Sequence, residues 1–190
     1  MPTVTALHAD RRGRVAVELD GSPWRVLPVD VVVRAGLAEG LLLDRPALRL
    51  VRRELRRAEA LQVAGRALRY RDLSRRRLAE RLEGAVPPAA AAESLAVLER
   101  AGVVDDGRVA RVRAASLAAR GYGDEAIRHR LRAEGLPEEA VRGLEPETER
   151  ARPLIERRGP GPRTARYLAS RGFGEETVEA ALGAGFGQER

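Results

Sequence analysis

The sequence contains no cysteine, which excludes disulfide frameworks, thiolate zinc sites, iron–sulfur clusters and cysteine nucleophiles, and fits a reducing compartment. Histidine is nearly as scarce. With only His8 and His129, an imidazole metal centre or a histidine-based triad has too little to build from. Aromatic residues make up 3% of the chain, too few for recognition dominated by base stacking. No apolar run approaches the roughly 20 residues of a membrane span, and the first residues lack the basic and apolar regions of a signal peptide. A soluble, cytoplasmic protein without metal or cofactor is expected. Lysine is absent too, so all 35 basic residues among 190 are arginine.

Arginine suits planar, bidentate contacts with phosphate or carboxylate, although a biased genome would also enrich it. Position is harder to attribute to genome bias. Against 28 acids the net charge is +7, and residues 45–84 hold 13 arginines with 5 acids. Residues 1–44 hold 5 with 6, and residues 85–190 hold 17 with 17. An excess confined to one stretch points to an acidic partner surface or a nucleic-acid backbone.

The first residues alternate apolar and polar side chains between turn signals, giving strands over 4–7, 15–19 and 24–27 with turns at Asp10–Gly13 and Asp20–Pro23. Trp24 is expected to anchor this small sheet on its core. From Pro46 the period becomes helical: Leu48, Val51, Leu55 and Ala58 form an apolar stripe, and Arg49, Arg52, Arg53, Arg56 and Arg57 are placed on the other, solvated side. Five arginines with only Glu54 among them repel one another unless a partner compensates.

An internal repeat follows. At a shift of 37 residues, 126–141 aligns with 163–178, so that Leu131 falls on Leu168, Gly135 on Gly172, Leu136 on Phe173 and Val141 on Val178. Leu78, Leu82 and Val86-Pro87 mark a weaker earlier copy. Each copy reads as a helix, a glycine or proline break and a second helix with an acidic or proline-led first turn. Leading helices over 46–70, 105–119 and 147–158 complete three units of three short helices. The expected fold is mainly α, a curved tandem array of three three-helix units preceded by a small antiparallel β-meander. Its segments are 1–44 (meander and connector), 45–104, 105–146 and 147–190, with 183–190 frayed.

Catalytic candidates are thin. Asp105-Asp106 has no third ligand nearby and reads as a helix cap, Ser74 likewise, and His129 as a surface residue. Gly121-Tyr122-Gly123 and Gly159-Pro160-Gly161 are helix breaks without the strand-before-helix setting of phosphate loops. No enzyme is expected. The basic helices carry the binding chemistry: Arg52, Arg53, Arg56 and Arg57 on the first, Arg75, Arg76, Arg77 and Arg81 on the second, and Arg128, Arg130 and Arg132 on its counterpart in the next copy. Only Arg163 and Arg166 occupy the matching helix of the last copy, so basicity declines along the array.

The order of three elements carries a family resemblance: the helix 74–82; Leu95-Ala96-Val97-Leu98-Glu99-Arg100-Ala101-Gly102-Val103-Val104-Asp105-Asp106 with Ala110; and 126–141. Over about residues 46–183 the chain resembles RecX, the family of regulatory proteins of the bacterial recombinase RecA. The resemblance implies a non-enzymatic modulator, usually an inhibitor, that lies in the groove of the RecA filament on single-stranded DNA. It would restrain filament growth, strand exchange and coprotease activity, within homologous recombination, DNA repair and the SOS response. The partners implied are RecA and single-stranded DNA, with duplex DNA a further candidate; a monomer is expected because no long heptad seam appears. Three features depart from the family. Arg77 replaces the glutamate of a reciprocal capping box, Val109 stands where an aromatic is common, and arginine stands for lysine throughout. The alternative from another class is a stand-alone DNA-binding protein whose units act as helix-turn-helix modules. No unit shows the Asn, Gln and Arg mixture of a base-reading helix, so such binding would be mostly electrostatic.

Overall fold

The computed structural model describes residues 1–183, and residues 184–190 of the segment expected to fray lie outside the described residues. The chain is mainly helical with one small sheet at its start, as expected. Strands β1 (Val4–Ala9), β2 (Arg14–Leu19) and β3 (Ser22–Pro28) form an antiparallel meander in the order β1-β2-β3. Asp20 and Gly21, both at positive φ, make the tight β2–β3 turn. In the β1–β2 turn the Asp10 carboxylate accepts from the amides of Arg12 (2.8 Å) and Arg14 (2.9 Å).

Nine α-helices follow among the described residues, with one 3-10 helix. They are α1 (Val29–Arg34), α2 (Arg45–Leu68), α3 (Arg75–Leu82), α4 (Pro88–Arg100), α5 (Asp106–Ala119), α6 (Asp124–Glu134), α7 (Glu147–Arg158), α8 (Pro162–Ser170) and α9 (Glu175–Gly183). The leading helices α2, α5 and α7 sit within about two residues of their expected bounds, and both glycine-rich segments break helices as read. One element differs. Where a third helix was expected in the middle copy, Glu138–Gly143 is a 3-10 turn, because Pro137, Gly143 and Pro146 leave too few residues to propagate an α-helix.

The chain divides into two compact units. One comprises residues 1–71 and 78–103, the other residues 72–77 and those from 104 onward. In the first, Val4, Val15, Val17, Leu27, Val31 and Val51 form the core beneath the sheet, with Trp24 packed against it at partial burial. Asp44 caps α2 by accepting from the Ala47 amide at 2.7 Å, and Pro46 starts the helix. Helix α2 also packs against α4.

In the second unit, Ala110, Ala114, Leu117, Ile127 and Leu131 make one core, and Ala151, Leu168, Phe173 and Ala181 a second. The repeat positions Ile127, Leu131 and Leu168 are fully buried. Successive copies are joined by a recurring device. The Gly123 amide donates to the Arg171 carbonyl (2.9 Å) and the Glu125 amide to that of Gly172 (3.1 Å), so the start of α6 lies on the end of α8. One copy earlier, the Ser74 hydroxyl donates to the Glu134 carbonyl at 2.9 Å, placing the start of α3 on the end of α6. Carboxylates on the leading helices close the same joints. Asp106 accepts from the Arg75 amide (2.7 Å), and Glu147 accepts from the amides of Asp124 (2.5 Å) and Gly174 (2.8 Å). Asp105 caps its own helix through the Arg108 amide (2.9 Å) and the Ser74 hydroxyl accepts from the Arg77 amide (3.3 Å), both as read from the sequence.

Candidate binding surfaces

Eleven arginines were singled out as contacts, and the fold distributes them over both units. In the first unit, Arg52, Arg53, Arg56 and Arg81 are exposed. Arg57 is not. Its side chain is about one-tenth exposed and lies 3.2 Å from Glu54, which is equally buried, and 3.9 Å from Glu93 of α4. The placement of Arg57 on the solvated face is therefore corrected: Val51, Glu54, Arg57, Ala60 and Ala64 form a buried line along α2. This line lies beside the first apolar stripe, and Arg57 within it serves an internal ion pair.

The like-charge repulsion along α2 also has an internal answer. Arg53 donates to Glu93 through Nη2 (3.0 Å) and Nε (3.4 Å). That hydrogen bond, with the charge of Arg53 behind it, holds the Glu93 carboxyl below the usual carboxylate range, against the opposing effect of burial. The cations that remain face a shallow concavity lined by Arg52, Leu55, Arg56 and Glu59 of α2 with Arg25 of β3. Sequence reading missed Arg25 because residues 1–44 are balanced in charge. Its one available signal was its place in a strand next to Trp24.

In the second unit, Arg75, Arg76 and Arg77 are exposed at the first turn of α3, and Arg128 and Arg132 are exposed on α6. Arg76 donates to the Ala133 carbonyl. An open groove of about 870 Å³ gathers Arg77 with Arg128, His129, Arg130 and Arg132, although more than 50 residues of chain separate Arg77 from the others. Sequence reading set His129 aside as a surface residue; it is exposed, and it shares this wall. The groove is not purely basic, since Glu125 and Glu134 also line it.

Its cations are held to different degrees. Arg132 grips Glu138 bidentately with two bonds of 2.7 Å, a geometry that lowers the Glu138 carboxyl and raises the guanidinium. Arg128 is 3.7 Å from Asp124, and Arg130 is half-buried over the ring of Tyr122 at 4.2 Å. An anionic partner would meet Arg128 with least rearrangement and would have to displace Glu138 to reach Arg132. No group of three or more metal-ligating side chains occurs among the described residues, and no helix among them is long and apolar enough to cross a membrane.

No protein-family model matches the chain, and no curated protein matches it in sequence. Solved structures do. The crystal structure of a regulatory protein RecX superposes with a TM-score of 0.82 at 20% identity, covering 95% of this chain and 98% of that one. The crystal structure of RecX from Lactobacillus salivarius gives a TM-score of 0.58 at 14% identity, over 68% of this chain and 96% of its own. Arginine-bearing helices hung on a tandem α array behind a β-meander thus reproduce a known architecture: the chain has the fold of the RecX regulatory proteins.

Proposed function

We propose that the protein is a RecX-family regulator that acts by binding, without catalysis, and that restrains RecA filaments on single-stranded DNA. One observation carries the reading: the structural likeness extends over nearly the whole of both chains, and the sequence elements that resemble the family occur within it in the family's order. In this reading the two basic surfaces are the contacts, with Arg52, Arg53, Arg56 and Arg81 on one unit and Arg75, Arg76, Arg77, Arg128, Arg130 and Arg132 on the other. Arg25 joins the first set. The protein works in the cytoplasm as a monomer, and 1–44, 45–104, 105–146 and 147–190 are its modules. Weak contacts on successive modules of one chain reinforce one another, because each raises the effective concentration of the next.

The test is ATP hydrolysis by the cognate RecA on single-stranded DNA while this protein is titrated in. Inhibition at substoichiometric amounts is expected from the wild type, weakened at least fivefold in apparent affinity by Arg52→Ala, Arg53→Ala and Arg56→Ala combined. No effect on RecA, together with salt-sensitive binding to bare duplex, would replace this reading with that of a stand-alone DNA-binding protein.

A further inference from the structure

Residues 85–190 are electrically balanced, with 17 arginines and 17 acids, yet the fold sorts those charges. A concavity in the second unit is lined by Arg120, Arg150, Arg157, Arg171 and Tyr167, and its wall carries a single carboxylate, Glu145. Arg150 is committed: its side chain is 8% exposed, pairs with Asp124 and donates to the carbonyls of Glu145 and Tyr122, both at 3.0 Å. Arg120, Arg157 and Arg171 have no carboxylate partner among the described residues. Cations gathered in this way repel one another unless an anion joins them.

Arg171 is also held in place. Its Nε donates to the Tyr167 hydroxyl at 3.2 Å, and its guanidinium lies 4.7 Å from the ring of Tyr122 and 5.4 Å from that of Tyr167. Arg130 covers Tyr122 at 4.2 Å and Arg158 covers Tyr167 at 3.7 Å. The resulting series, Arg130, Tyr122, Arg171, Tyr167, Arg158, fixes a cation at the cavity wall before any ligand arrives. The local potential is felt by Tyr167, whose phenol is pushed below its ordinary range by the Arg171 hydrogen bond. Ala118, Leu144 and Leu154 supply an apolar surface beside these charges.

The geometry points to a nucleotide site: guanidinium groups of Arg120, Arg157 and Arg171 with the Tyr167 hydroxyl take the phosphate, and the apolar surface takes the base. Guanidinium groups already cover both tyrosine rings, so the base rests on Leu144 and Leu154. The nucleotide comes either free from solution or as the 5′-phosphorylated end of a single strand. The site stands apart from the regulator reading, because none of these phosphate-binding arginines belongs to the surfaces proposed there.

Titration calorimetry on the full chain tests it with dAMP, inorganic phosphate, and an octathymidylate carrying either a 5′-phosphate or a 5′-hydroxyl. Binding of dAMP, or of the 5′-phosphorylated strand alone, is expected and distinguishes the two sources. Arg120→Ala with Arg157→Ala should weaken it at least tenfold, while Arg11→Ala with Arg12→Ala, exposed in the first unit and outside every surface proposed above, leaves it unchanged. Tyr167→Phe keeps the ring in the series and removes only the hydroxyl, so it should weaken binding severalfold even if the double variant melts early. The proposal is overturned if neither phosphate-bearing ligand binds, if inorganic phosphate binds as tightly as dAMP, if dAMP fails to bind and the 5′-hydroxyl strand binds as tightly as the 5′-phosphorylated one, or if the double variant and Tyr167→Phe both bind as the wild type does.

Discussion

Gly123 has an ordinary φ of −78°, so backbone freedom is not what requires glycine there. The requirement is space. A Cβ at this position would overlap the backbone of Gly172 and Phe173, on which the Gly123 amide is already hydrogen-bonded through the Arg171 carbonyl. Since backbone cannot step aside as a side chain can, Gly123→Ala should cost about 2 kcal/mol, within the range for overpacking. Gly143→Ala, with open space around it, should change stability by less than about 0.5 kcal/mol. Urea denaturation of the two variants checks this, and equal midpoints would contradict the close approach. Arg57 presents the opposite case, a charge enclosed by its own fold. Its Nε is buried without a hydrogen-bond partner, and truncating it strands Glu54 away from water. Arg57→Ala is expected to destabilise the protein by about 3 kcal/mol, whereas Arg57→Met combined with Glu54→Leu should recover most of that loss, because removing both charges leaves none unpaired. Equal losses in the single and double variants would show that packing, not charge, dominates the site.

Between elements, the pair Arg53–Glu93 ties α2 to α4, and its contribution depends on pH in a defined direction. Because Arg53 holds the Glu93 carboxyl below its ordinary value, the contribution is complete above the ordinary glutamate pKa and is lost as pH falls through the lower, folded-state value. Glu93→Gln should therefore lower the melting temperature near neutral pH and flatten its dependence on pH below about pH 4. Parallel acid profiles for wild type and variant would remove Glu93 from the acid response. The elements differ in how much of them could be read in the sequence. The leading helices and the breaks between them were legible because Leu48, Val51, Leu55 and Ala58 keep a helical period and glycines mark the stops. The second buried line of α2 was not, because Glu54 and Arg57 sit on it and a charged residue ordinarily signals exposure. Their i, i+3 opposition between Val51 and Ala60 was the available clue. The 3-10 turn at Glu138–Gly143 escaped for another reason: alignment with the last copy transferred a helix that Gly143 and Pro146 do not allow. Nor could spacing bring Arg77 to Arg128, or Arg25 to Arg52, since those meetings depend on tertiary packing.

For the whole molecule, the excess of arginine in 45–84 locates a charge density that the fold then partly neutralises, through Glu54 and Glu93, and partly leaves exposed. If the exposed remainder meets nucleic acid, its signature is the salt slope. For a single strand each phosphate contact contributes about −0.7 to the dependence of log affinity on log salt. Replacing Arg52 and Arg56 should thus reduce the slope by about 1.4, measured by anisotropy across a salt series. An unchanged slope would move the contact surface to the second unit. The joints between copies act on a longer scale. Gly123 to Arg171 and Glu125 to Gly172 are bonds between main-chain groups, which every residue except proline can donate and every residue can accept. Such a joint constrains the spacing of two glycines and the carboxylate of Glu147 that closes it, so the other side chains around it can be replaced while the geometry survives. Kinship among chains of this architecture would then be recorded in the intervals between glycines, and a search keyed to those intervals should reach relatives that residue-by-residue comparison passes over.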